Sequence, residues 1–179
     1  MEIINFYGRT SNPKYWPFSN FYEASFRDHA DTLWTTTEHY FQAMKFLPGD
    51  IIMYPKTHPD GKYREVPLRE HILIQPTAAL AAKEGRRKDL PLRKDWDEPS
   101  PIMPGFLTKD VYMYRALQYK FTQHATLKQL LIDTGDAIIV EDSKIDSYWG
   151  CGADRQGKNM LGQLLMKLRE QFKQDTSID

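Results

Sequence analysis

Three polar residues, Glu38, Gln42 and Lys45, follow one another at helical spacing. Their side chains share one face if the segment is a helix. Such a face can hold a carboxylate, an amide and an amine over one cleft, with aromatic residues on both sides. Spacing alone favours a simpler interpretation, a solvated polar face on which Glu38 completes a capping box begun at Thr35.

A second acidic group follows an apolar, β-branched run, Ala137 to Val140, which predicts a buried strand. Glu141-Asp142 and Asp146 come directly after it and lead into Tyr148 to Gly152. Loops at strand ends can aim carboxylates into an active site. Turn formation alone also explains such residues. The glycines around Trp149 indicate a backbone that bends sharply or approaches another group closely.

The dense positive run is Gly85 to Lys88, followed by Arg93-Lys94. Guanidinium groups match phosphate oxygens with two parallel hydrogen bonds, so this run predicts a phosphate clamp. A surface loop is an equally good interpretation of the same residues. Gly85 would let the backbone come close to a ligand.

Several kinds of site have no support in the sequence. The five histidines show no metal-binding spacing, and neither a P-loop nor a G-x-G-x-x-G motif occurs. We therefore expect no metal and no cofactor. Cys151 is the single cysteine, which excludes an internal disulfide and fits a reducing compartment. No histidine is placed to activate it, so we expect a packed, unreactive side chain.

Composition restricts the class of protein further. The chain has 179 residues, with 24 Lys plus Arg against 24 Asp plus Glu, so any phosphate site must be local. A general nucleic-acid coat would be basic. The sequence shows neither a membrane span nor a signal peptide, and we expect a cytoplasmic protein with no membrane partner. Aromatic residues are 13%, which suits both a packed core and a planar ligand.

The predicted elements give an α+β class, helix-rich with a small sheet, in a single domain over residues 1–179. Strands are expected at 3–7, 18–22 and 25–34, the last with a hairpin turn at 28–31, and at 137–140. Helices are expected at 35–47, 77–84, 108–124, 127–135 and 161–172. Leu161, Leu164, Leu165, Leu168 and Phe172 make the last one the clearest. The breaker-rich stretches 48–76 and 97–105 are interpreted as loop insertions without a core of their own.

Together these residues resemble the NADAR family, also called YbiA-like proteins. The resemblance covers nearly the whole chain in the expected order. The matching segments are Phe18 to Tyr22, Thr37 to Phe46, Gly85-Arg86, Pro91 to Trp96, Tyr114 to Leu117, Lys120-Phe121, Leu130-Leu131, Asp146 to Gly150 and Gly157 to Gly162. The two breaker-rich stretches look longer than in compact bacterial members and could reshape the mouth of a pocket.

The resemblance implies an N-glycosidase on an α+β fold of the YbiA-like type. It associates such proteins with two substrate classes, phosphoribosylamino-pyrimidine intermediates of riboflavin synthesis and ADP-ribose attached to guanine. By motif, Glu38, Trp96 and Asp146 match positions assigned to catalysis or the active site. Lys45 is a candidate for the covalent lysine invoked for removal of ADP-ribose from guanine.

The chemistry of the reaction explains why it requires residues of these types. Cleavage of the C1′–N bond leaves positive charge on the ribose, which a carboxylate such as Glu38 stabilises. Lys45 can instead form a Schiff base with the opened sugar. We expect Trp96 and Trp149 to stack on the base, and Arg86 with Arg93 to hold the phosphate. The residues expected to bind substrate are Asn20, Phe21, Gly85, Arg86, Arg93, Trp149, Gly150 and Asn159.

Two further interpretations stay open at this point. One is a non-catalytic module that senses ADP-ribose or a related nucleotide, and the other is an interaction domain with an aromatic surface. For the enzyme, the expected partner is a small phosphorylated ribosyl or ADP-ribosyl substrate, with ADP-ribosylated DNA or RNA as an extension. The sequence gives no oligomeric state.

Overall fold

The computed structural model describes residues 2–54 and 64–176, arranged in the expected α+β class. A 3₁₀ turn occupies Trp16–Phe18. The strands are β1 (Ile3–Phe6), β2 (Phe26–Arg27), β3 (Leu33–Trp34), β4 (Ile51–Tyr54), β5 (Arg64–Pro67) and β6 (Ile138–Glu141). The helices are α1 (Thr37–Ala43), α2 (Leu68–Leu73), α3 (Ala78–Gly85), α4 (Thr108–Gln123), α5 (Ala125–Ile132) and α6 (Met160–Thr176). In this part of the chain no helix is long and apolar enough to cross a bilayer.

The apolar stripe of α6 is the centre of the core, as its spacing predicts. The four leucines of the stripe are completely buried and Phe172 nearly so. The stripe packs against α4, α5 and β6. Because the pattern is local and strongly periodic, this helix could be predicted from sequence, although it continues past the predicted end at Phe172 to Thr176.

β1 and β6 pair in parallel and confirm both predicted strands. The register runs from Ile3 opposite Ile138 to Phe6 opposite Glu141. Ile4, Phe6 and Ile139 are buried, so the pair is a layer of the core. The carboxyl end of β6 places Glu141 at the rim of the cleft described below.

The predicted hairpin forms, but the predicted strand at 18–22 does not. β2 and β3 pair with Phe26 opposite Trp34. Residues 18–22 instead continue the 3₁₀ turn into a further turn. A distant residue explains the difference, because the fully buried Lys120 donates to the carbonyl oxygens of Pro17 (2.6 Å) and Ser19 (3.0 Å).

Lys120 is therefore expected to stabilise the turn that leads to Asn20. Burial lowers the pKa of its ammonium group to about 7. Lys120→Met leaves two carbonyls without their donor, so we expect a loss of about 2 kcal/mol and a Tm lower by roughly 4–8 °C. Thermal unfolding measures this against Lys144→Met, an exposed control that should change Tm little. Equal Tm values for the two variants would contradict the role.

α1 begins one residue later than the expected capping box requires. Thr36 is the N-cap, and its hydroxyl accepts from the backbone N–H of His39 at 3.2 Å. The prediction that Thr35 and Glu38 form the cap is therefore wrong. The helix also ends at Ala43 rather than at Leu47, which is half exposed.

The stretch from Pro48 to Pro76 is more regular than predicted. β4 and β5 form an antiparallel hairpin, and α2 buries Leu68 and Ile72 completely in the common core. Residues 55–63 of this stretch lie outside the described residues. In the second breaker-rich stretch, Pro99 forms a bridge with Leu107. That these stretches are insertions stays a prediction.

The remaining predicted helices are present, although α5 spans Ala125–Ile132 rather than the predicted 127–135. The Thr77 hydroxyl caps α3 by accepting from the backbone N–H of Leu80 at 3.2 Å. α3 then ends at Gly85, one residue beyond the predicted end at Glu84. α4 starts at Thr108, one residue after its N-cap Leu107, whose backbone N–H donates to Asp110.

Candidate active site

A cleft of about 740 Å³ lies between α1, the end of α3, the start of α4 and the loop after β6. It brings together most of the predicted site residues, although they lie far apart in the sequence. Those lining it are Asn20, Phe21, Glu38, Lys45, Gly85, Arg86, Trp96, Asp146 and Trp149. Gln42 and Glu141 line it as well. Arg93, Gly150 and Asn159 do not.

The polar face of α1 is buried in this cleft. Glu38 is 4% exposed and Gln42 is 1% exposed, so the interpretation as a solvated face is wrong. The Gln42 amide donates to Glu38 Oε1 at 2.7 Å. Burial raises the pKa of Glu38, while the Gln42 hydrogen bond and the charges of Arg86 and Lys45 oppose that rise.

Asn20 holds the start of this helix against the cleft. Its carbonyl oxygen accepts from the backbone N–H of Glu38 at 3.1 Å and from the Thr37 hydroxyl at 3.0 Å. The neighbouring Phe21 leaves part of its ring exposed along the wall. Asn20 thus contributes to the position of Glu38 in addition to lining the site.

Lys45 lies just beyond the end of α1 and reaches across the cleft wall. Its ammonium group donates to the carbonyl oxygen of Gly85 at 3.1 Å. Burial lowers the pKa of this amine to about 8, against a smaller opposing effect of Glu38. Roughly a tenth of the amine is then neutral at pH 7, far more than for a solvated lysine. A larger fraction of this amine is therefore in the neutral, nucleophilic form than for an exposed lysine.

Because Gly85 has no side chain, the Gln42 side chain can occupy the space next to it. A Cβ at position 85 would lie 2.7 Å from Gln42 Cβ and closer still to Gln42 Oε1. That oxygen is buried without a hydrogen-bond partner among the described residues. The close approach of α3 to α1 thus fixes an unpaired acceptor beside Glu38.

Two carboxyl groups come from the end of β6. Glu141 is the last residue of the strand, and its Oε2 is buried with no hydrogen-bond partner in the described chain. Asp146 lies in the following loop, where its Oδ1 accepts from the backbone N–H groups of Tyr148 (2.9 Å) and Trp149 (2.8 Å). Asp146 therefore shapes the loop as well as lining the cleft.

Gly150 and Asn159 support this strand end from behind. A Cβ at Gly150 would lie 2.8 Å from the carbonyl oxygen of Glu141, so only glycine allows the loop to fold back so closely. Asn159 accepts from the backbone N–H of Glu141 at 2.9 Å and donates to the Ile139 carbonyl at 2.8 Å. Both residues position Glu141 through its backbone.

Aromatic rings form one wall of the cleft. Phe41 packs against Trp96 at 5.1 Å and against Trp149 at 5.2 Å between ring centroids. Trp96 is buried and lies parallel to Tyr112, whereas Trp149 is half buried. Such a wall suits a planar base.

The basic residues near the cleft differ in whether acidic side chains already bind them or leave them available to a ligand. Arg93 binds Asp95 through two short hydrogen bonds and Tyr112 through a third, outside the cleft. Arg87 lines the cleft but is paired with Glu84 and Asp89. Arg86 is 63% exposed, with its nearest guanidinium nitrogen 4.0 Å from Glu38. Arg86 is therefore better placed than Arg93 to hold a phosphate.

Sequence reasoning grouped Glu141 with its neighbours but gave it no role. Asp142, the next residue, pairs with Arg155 at 2.6 Å outside the cleft. The predicted strand ended at Val140 and β6 ends at Glu141, so the separation of these two side chains is visible only in the folded structure. Within the described residues no cluster of His, Cys, Asp and Glu could hold a metal ion.

Comparisons with known proteins agree with the family resemblance seen in the sequence. The NADAR domain family matches residues 5–173. The N-glycosidase YbiA of Escherichia coli (strain K12) is 41% identical over 95% of this chain and 88% of its own. Its solution NMR structure gives a TM-score of 0.76 at 39% identity, covering 98% of this chain and 87% of that one. The Zea mays riboflavin biosynthesis protein PYRR is 32% identical over 96% of this chain, which corresponds to 25% of that protein.

Proposed function

The chain belongs to the NADAR family and is an N-glycosidase, and we propose that it hydrolyses the C1′–N bond of a phosphorylated ribosyl or ADP-ribosyl N-glycoside. The single observation that carries this proposal is Glu38, a carboxyl group buried in an aromatic-walled cleft beside Lys45 and Arg86. Burying a carboxyl group costs stability unless it is well partnered, and buried carboxyl groups that line a cleft are typical of functional sites.

Glu38 suits the charge that develops when the glycosidic bond breaks. The ribose carbon becomes positive in the transition state, and a carboxylate nearby stabilises it or takes a proton from the attacking water. The Gln42 amide orients the Glu38 carboxylate by a hydrogen bond of 2.7 Å. Trp149 of the aromatic wall lines the same cleft and is available to stack on the base.

Lys45 supports a second route when the ribose is attached through an exocyclic amine. The sugar can open to an imine, and a neutral lysine can exchange into it as a Schiff base before hydrolysis frees the sugar. The lowered pKa of Lys45, about 8, favours this role. Trapping with borohydride, with Lys45→Met as control, distinguishes this covalent role from an electrostatic one.

The phosphate is expected to bind at Arg86. Arg86→Gln removes a charge that is largely exposed toward the cleft, so KM should rise roughly tenfold or more. Arg87→Gln is the matched control, because its guanidinium is already paired with Glu84 and Asp89. Steady-state kinetics on a phosphorylated ribosyl substrate gives both values. An unchanged KM for Arg86→Gln would show that the phosphate lies elsewhere.

Both substrate classes stay open within this proposal. The riboflavin biosynthesis proteins among its relatives favour the ribosylamino-pyrimidine phosphate. Comparing kcat/KM for that compound with kcat/KM for an ADP-ribosylated guanosine oligonucleotide decides between the two. Release of base from neither compound by the folded protein would contradict the proposed substrate range.

A further inference from the structure

The geometry points to Glu141 as the general acid of this N-glycosidase, the group that gives its proton to the base as the C1′–N bond breaks. The inference rests on the proposed function. It assigns separate tasks to two carboxyl groups of one cleft, the buried Glu38 on α1 and the half-buried Glu141 at the end of β6, whose Oε2 is buried.

The backbone of Glu141 is held on three sides. Its strand pairs with β1, where Phe6 is its register partner. Its N–H donates to Asn159 at 2.9 Å, and its carbonyl oxygen accepts from the backbone N–H of Cys151 at 2.9 Å. A side chain on such a rigid strand end is positioned well enough for proton transfer.

The surroundings of the carboxyl group favour its neutral form. Oε2 is buried without a hydrogen-bond partner in the described residues. The charged groups that act on it are Glu38 from α1 and Asp146 from the following loop, both of which are acidic. Burial first, and these two carboxylates second, raise the pKa of Glu141 to about 8. The group therefore carries a proton at neutral pH.

Glu38 differs from Glu141 in its partners. The Gln42 amide and the charges of Arg86 and Lys45 support its ionised form, although burial raises its pKa too. Two carboxyl groups whose surroundings differ in this way typically divide into a base and an acid. Asp146 is less suited to donate a proton, because one of its oxygens already accepts two backbone N–H groups.

The proton and electron balance follows from this division. The C1′–N electron pair goes to the base nitrogen, which takes the proton of Glu141. Water adds to C1′ and gives its proton to Glu38. A proton then returns from Glu38 to Glu141 through solvent, so that one water molecule is consumed for each base released.

The test compares pH–rate profiles of the full chain and its Glu141→Gln variant, with base release as the readout. The wild-type rate should fall above about pH 8, because Glu141 loses its proton there. Glu141→Gln should be slower by roughly a hundredfold at pH 7 and show no falling limb up to pH 9. Lys45 titrates in the same range but is intact in this variant, so a limb caused by Lys45 would persist.

Two further variants separate the possible outcomes. Asp142→Asn, the neighbour that points away from the cleft, should keep the wild-type rate and profile. Glu141→Asp retains a carboxyl group and should keep the falling limb at a reduced rate, even if the amide variant folds poorly. A Glu141→Gln variant with wild-type rate, or with an unchanged limb, would overturn the inference. Absence of base release from the wild-type chain would instead overturn the proposed function.

Discussion

Glu38→Gln is expected to lower kcat by about a thousandfold or more. The amide has almost the shape of the carboxyl group but cannot carry the negative charge that faces the developing ribose cation. Gln42, which donates to Glu38 Oε1 at 2.7 Å, still finds an acceptor in the amide oxygen. The fold and the affinity for ligand should therefore change little, and a loss confined to kcat identifies a group that acts in the transition state.

The matched control for this variant is Glu23→Gln. Glu23 is exposed and does not line the cleft, so its substitution should leave kcat within a factor of two. Steady-state rates and calorimetric titration with ADP-ribose give the two readouts. If Glu38→Gln retains most of its activity, the catalytic assignment is wrong, whatever its stability.

Gly162→Ala is expected to have the largest effect on stability, with a loss of about 3 kcal/mol or more. Gly162 lies in the first turn of α6, where that helix crosses β6. A Cβ there would meet the carbonyl oxygen of Ile139 and the side-chain amide of Asn159, all well inside contact distance. The backbone oxygen cannot move without the strand, so α6 must shift away from β6.

The same shift would disturb the site, because Asn159 positions the strand end that carries Glu141. We therefore expect Gly162→Ala to lose activity at temperatures where part of the protein is still folded. Gly8→Ala is the control, since a Cβ at Gly8 has no neighbour within 4 Å. Urea unfolding of both variants measures the effect. A Gly162→Ala variant as stable as Gly8→Ala would show that the helix and strand adjust easily.

Patterns within a short stretch of sequence predicted the elements that such patterns mark directly. The leucine stripe of α6 and the β-branched strand β6 are correct because burial periodicity marks them directly. The strand predicted at residues 18–22 does not form, because Lys120, about a hundred residues away, donates hydrogen bonds to the carbonyl oxygens of Pro17 and Ser19. No window of sequence contains that contact.

Burial of the polar α1 face is the main feature that the sequence pattern could not show. Glu38, Gln42 and His39 are polar residues, and polar faces are ordinarily exposed. Their burial depends on Asn20 before the helix and on Gly85 at the end of α3, far along the chain. The family resemblance singled out Glu38 and Lys45 for catalysis, and these assignments stay predictions. The environment of Glu141 is a property of the folded chain alone.

The measurement that tests the central claim most directly is a time course of product formation followed by mass spectrometry. The purified chain is incubated with the ribosylamino-pyrimidine phosphate, in parallel with its Glu38→Gln variant. We predict equimolar free base and ribose phosphate from the wild-type chain and almost none from the variant. A folded wild-type chain that binds ADP-ribose but forms no product from this substrate or from ADP-ribosylated guanosine would contradict the account. The cleft would then serve as a nucleotide sensor.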